Sequence, residues 1–129
     1  MTPADTVADD EVIYRHVPGG PTWQAPPDNR ISSINCRLRP NETGLSVSRA
    51  AIMSATEVMA RLGNPATGSK IAAVAVAEVR AIGLEVVPAP LDGNPGHAEI
   101  RSATADLARK EVQRQLALSF AMSIRENPD

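Results

Sequence analysis

Aromatic side chains are almost missing, with Tyr14, Trp23 and Phe120 the only three in 129 residues. The core therefore has to be built from aliphatic side chains. Lysine is nearly as scarce, at Lys70 and Lys110 against eleven arginines, a bias that fits the coding composition of a GC-rich genome as well as it fits guanidinium chemistry. A single cysteine, Cys36, excludes an intramolecular disulfide and a multi-thiolate metal site. It reads as a small buried apolar residue. The longest apolar run, Leu116 to Met122, is broken by Ser119 and is far too short to cross a bilayer. A net charge of -2 lacks the positive field that draws proteins to nucleic acid or to anionic membranes. No nucleic-acid partner and no membrane are expected. The first ten residues carry neither a basic nor an apolar leader region, and a reducing, cytoplasmic location is the expectation.

The length suits one domain. Residues 1–10, with Asp5, Asp9 and Asp10 and little to bury, read as a disordered acidic lead, followed by one domain over 11–125 and a tail at 126–129. Within the domain, Glu11 to Val17 reads as a strand. The Pro- and Gly-rich stretch Pro18 to Arg30 reads as a long loop pinned by Trp23.

Ile34, Cys36 and Leu38 alternate with polar residues, as do Leu45 and Val47 after the turn formers Pro40 to Gly44. The pattern predicts a β-hairpin with Arg37, Arg39, Ser46 and Ser48 together on its polar face. Ser54 and Glu57 have capping-box spacing, with Met53 and Val58 at the staple positions, so a short helix should run from there to Leu62 and stop at Gly63. Lys70 to Val76 favours a strand, Ala77 to Ile82 a short helix ending at Gly83, and Leu84 to Val87 and His97 to Arg101 two more strands. A helix that short is a poor parallel crossover. The fold class is therefore α+β, a small antiparallel or mixed sheet with two or three helices. The longest helix should be C-terminal, from Thr104 to about Arg125.

That last helix sets the first functional expectation. Leu116, Phe120 and Ile124 form a stripe, while Leu118 and Met122 stand about 200° around the axis from it, which makes the second half apolar on both sides. The expectation is a non-enzymatic interaction or assembly module that binds a protein partner, or a second copy of itself, through these five residues.

No phosphate loop, dinucleotide fingerprint or zinc motif occurs, and Gly44 to Ser48 lacks the final glycine of a nucleophile elbow. Neither a metal nor a cofactor is expected. His97 and Glu99 share a strand face and are candidates for acid/base work, with Arg15 as a third weak candidate. Arg37, Arg39, Ser46, Ser48 and Arg49 are candidates for binding phosphate or carboxylate, because guanidinium forks and hydroxyls suit such groups. The order Tyr14-Arg15, then Ser46 to Ser48, then a helix with Glu57 resembles the small NAD-consuming toxins of the RES and ADP-ribosyltransferase type. The resemblance implies an NAD-phosphate contact at Arg15 and a catalytic carboxylate at Glu57 or Glu99. It makes a small nucleotide-processing enzyme the alternative function.

Overall fold

The computed structural model describes residues 7–18, 24–25, 30–61 and 70–121. Its strands are β1 (Val12–Val17), β2 (Gln24–Ala25), β3 (Arg30–Ile31), β4 (Leu45–Arg49), β5 (Lys70–Ala75), β6 (Leu84–Pro88) and β7 (His97–Ser102). Its α-helices are α1 (Ala55–Arg61), α2 (Val76–Ile82) and α3 (Lys110–Ala121), with a 3-10 helix at Ser33–Cys36. Five strands form an antiparallel sheet in the order β5-β1-β4-β7-β6, and β2 pairs with β3 alone. This is the expected α+β class, with a C-terminal helix of modest length.

Alternation divides the sheet into two unlike faces. Ile13, Val17, Leu45, Val47, Val74, Val86 and Ile100 point into the main core, which α2, α3 and the 3-10 helix cover. The other face carries Tyr14, His16, Ser46, Ser48, His97 and Glu99. Among the described helices α1 packs on it, where Met53, Val58 and Ile71 form a small second cluster with Tyr14 and Ile52. Strand β5 lies between the two clusters, which is why Ile71, Ala72, Ala73 and Val74 are all buried and the segment does not alternate.

Most local signals are realised. Glu57 N–H donates to Ser54 Oγ at 3.1 Å and Ser54 N–H to the Glu57 carboxylate at 3.2 Å, closing the capping box, and Met53 meets Val58 as the staple. Gly83 terminates α2 at φ 102°, a left-handed conformation where a Cβ would also lie 2.7 Å from Thr104 Oγ1. The expected ends of α1, at Leu62 and Gly63, lie outside the described residues.

The hairpin is not formed. Residues 33–36 coil into the 3-10 helix because Ser32 Oγ accepts the Ile34 amide and the Asn35 side chain bonds back to Ser32 O, so local hydrogen bonds win over extension. Strand β4 does form, but its partners are β1 and β7. Gly44 allows this close approach, since a Cβ there would sit 2.9 Å from Ile100 O and from Arg101 Cγ. The expected loop over Pro18 to Arg30 contains the short β2–β3 ladder. Trp23 lies outside the described residues.

Helix α3 starts six residues later than expected. Ser102 Oγ accepts the Leu107 amide and Asp106 Oδ1 the Ala108 amide, and these side chains hold 103–109 in turns with Leu107 buried as an anchor. Met122 to Arg125, the end of the expected helix, lie outside the described residues. At the other end of the chain, Val7 to Asp10 are not a loose lead. Arg80 donates to Val7 O and to the carboxylates of Asp9 and Glu85, and Ala77 N–H donates to Asp9 O, fastening this segment to α2. Those two acceptors raise the Arg80 pKa. At Glu85, burial pushes the carboxyl up, but the Arg80 and Val86 hydrogen bonds and the Arg80 charge together hold it below its usual value.

Candidate functional site

Strands β1 and β4 share only two register pairs, Ile13 with Arg49 and Tyr14 with Ser48, and then part. Arg15 fills the start of the gap. Its Nε donates to Asn35 O at 2.7 Å and an Nη to Ser46 O at 2.6 Å, so a backbone carbonyl of β4 is satisfied by a side chain instead of a strand partner. Burial is the main cause that lowers the Arg15 pKa, with Arg39 adding to it, while nearby Cys36 and Glu42 oppose. Beyond Arg15 the gap widens into a cavity of about 870 Å³, within the usual range for small-molecule sites. Arg15, Arg37, Arg39 and Ser46 all line it. Glu42 is the one carboxylate among its described lining residues, and that group already accepts the Arg39 amide at 2.7 Å. The opening is therefore electropositive although the whole chain is not.

A second, smaller cavity of about 320 Å³ lies on the open sheet face, lined by Tyr14, His16, Ser46, Ser48, Asn94 and His97 among others. His16 and Ser46 line both cavities. Here the register of β4 and β7 sets Ser48 against His97 and Ser46 against Glu99. His97 leans toward Ser46, with Nε2 at 3.2 Å from Ser46 Oγ and Nδ1 at 2.8 Å from Ala89 O. Burial lowers the His16 pKa and the Arg15 charge lowers it further, so the ring is held neutral. Its Nε2 and Asn94 Oδ1 are buried atoms with no hydrogen-bond partner.

Of the five anion-binding candidates, the structure brings Arg37, Arg39 and Ser46 to the first cavity and Ser48 to the second. Arg49 is different. It shares the buried face with Leu45 and Val47, is 1% exposed, and holds Glu11 through two nitrogens at 2.7 and 3.2 Å. It is a core ion pair, because position 49 has the parity of the apolar residues of β4. The weak catalytic candidates also separate. Arg15 commits two nitrogens to carbonyls, and Glu99 projects from the other sheet face and is held by Arg101 at 2.9 Å. Glu57 is taken by its cap. The carboxylate implied by the toxin resemblance thus does not meet Arg15.

Among the proposed partner contacts, Leu116 and Phe120 are fully buried and belong to the core, whereas Leu118 is 53% exposed. Met122 and Ile124 lie outside the described residues. Cys36 is buried, and loss of solvation pushes its thiol up to about 12, far from a reactive thiolate. Among the described residues, no three His, Cys, Asp or Glu side chains gather as metal ligands. No described helix is long and apolar enough to cross a membrane. Compared with protein families, with curated proteins and with solved structures, the chain finds no match.

Ser46 and His97 are both candidates by residue type, but their proximity needs the β4–β7 register across 51 residues. Asn94 and the Ala89 carbonyl carried no signal at all, because turn residues before a strand are ordinary.

Proposed function

We propose that this domain binds a small anionic molecule, of the phosphate- or carboxylate-bearing class that includes nucleotides, in the gap between β1 and β4. The supporting observation is the cavity there, edged by Arg15, Arg37 and Arg39 with Glu42 as the one opposing carboxylate among the described lining residues. Arg15 keeps the gap open and supplies positive charge. Arg37 and Arg39, both exposed at its mouth, are the groups with the reach to fork onto an anion. A hydrogen bond to a charged group contributes about 1.5–3 kcal/mol, so loss of both guanidiniums should weaken binding at least about 100-fold. Isothermal titration with pyrophosphate, ADP and NAD tests this in wild type and in the Arg37→Ala/Arg39→Ala variant. Heat from wild type that the double variant loses supports the reading. No heat from any of the three at millimolar concentration removes it.

A second reading keeps α3 as a docking element for a protein partner or another copy of the chain. It rests on Leu118, which is exposed between the buried Leu116 and Phe120. Light scattering of wild type and Leu118→Asp decides it, since an assembly through this face would dissociate in the variant.

A further inference from the structure

The serine at the meeting point of the two cavities has the surroundings of a nucleophile. Ser46 Oγ is exposed, on the central strand of the sheet, and 3.2 Å from His97 Nε2. A carbonyl oxygen can only accept, so Ala89 O at 2.8 Å fixes the hydrogen of a neutral His97 ring on Nδ1. Nε2 then turns a lone pair toward the Ser46 hydroxyl. This is the arrangement of a nucleophile, a base and an orienting acceptor, with a backbone carbonyl in the third place. His16 and Asn94 also line the second cavity, and their Nε2 and Oδ1 are buried polar atoms without partners, which a fold keeps only at a desolvation cost.

We infer that Ser46 and His97 form a nucleophile–base pair that cleaves a carboxylic ester, one half of which carries the phosphate or carboxylate held by Arg37 and Arg39. The choice of an anionic ester rests on the proposed anion site, whereas the Ser46–His97 pair stands on its own geometry. Ser46 Oγ forms a bond to the ester carbonyl carbon as its proton passes to His97 Nε2, and the carbonyl electron pair moves onto oxygen. Collapse restores the carbonyl, breaks the bond to the alcohol oxygen and returns the Nε2 proton to the departing alcohol. Water then attacks the acyl-serine in the same way, releasing the acid and restoring the hydroxyl.

The test is covalent labelling with a fluorophosphonate, in which Ser46 Oγ would displace fluoride from phosphorus, read by intact-protein mass and peptide mapping. One adduct on Ser46 is expected in native protein and none on Ser46 in heat-unfolded protein. The labelling rate should fall at least about 100-fold in His97→Gln, the size of a general-base contribution. Absence of an adduct on Ser46, or equal labelling of native and unfolded protein, overturns the proposal even if His97→Gln does not fold. An undiminished rate in a folded His97→Gln overturns it as well. Titration of wild type with pyrophosphate separates the two claims. Labelling without anion binding keeps the nucleophile and removes the anionic substrate, and anion binding without labelling does the reverse.

Discussion

The two faces of the sheet are built from the same strands and obey opposite rules. On the helix-covered face, Leu45, Val47, Val86, Ala98 and Ile100 are buried to within a few per cent, and Arg49, buried among them, is paired with Glu11. On the open face, the alternate positions of β4 and β7 are serine, histidine, glutamate and arginine, and two buried polar atoms there lack partners. One face minimises the free energy of the fold. The other tolerates a cost, and polar groups kept at a cost are where binding and chemistry are sought.

Breaking the ion pair on the covered face should have the largest effect. Glu11→Ala takes from the buried Arg49 guanidinium the carboxylate that holds two of its nitrogens, and a loss of about 3–5 kcal/mol is expected in urea unfolding. Leu116→Ala, in the core under α3, should cost about 2–5 kcal/mol by the same measurement. Gly83→Ala imposes both a left-handed backbone and a clash with Thr104, and should cost about 1–3 kcal/mol.

The open face is sharpened by pH. The folded protein holds His16 below its ordinary pKa, so as pH falls through about 6.5 the unfolded chain takes up a proton that the folded chain refuses. Stability should therefore decline as pH drops from about 7 toward the lowered folded value, and His16→Gln should flatten that part of the urea-midpoint profile. Glu85 acts in a lower window, because its folded pKa lies below the usual carboxylate value and its stabilising contact with Arg80 is lost only under acid conditions. The smallest effect is expected at Leu118→Ala, within about 0.5 kcal/mol, since the residue is exposed.

The difference between the faces also explains what the amino-acid order revealed. Elements whose signals are local were legible, including the Ser54–Glu57 cap, the strand–helix–glycine run from Lys70 to Gly83, and β7 from His97. The hairpin pattern at Ile34, Cys36 and Leu38 misleads because alternation in the sequence does not tell a strand from the 3-10 turn at Ser33–Cys36, where the hydrogen bonds of Ser32 and Asn35 decide the outcome. The site depends on strand order. Arg15 meets Ser46 across 31 residues and His97 meets Ser46 across 51, contacts that no spacing rule encodes. Arg49 joins the polar candidates by its charge, although its position relative to Leu45 and Val47 places it on the apolar face.

The proposed anion site lies where β1 and β4 part. An amide-resolved NMR titration of the wild-type chain with ADP tests it most directly, because the position of the response matters more than its size. Saturable shifts concentrated at His16, Arg37, Arg39 and Ser46 are the result this account predicts. Shifts absent from those four residues at millimolar ADP and pyrophosphate, or confined to the surface around Leu118, would contradict it.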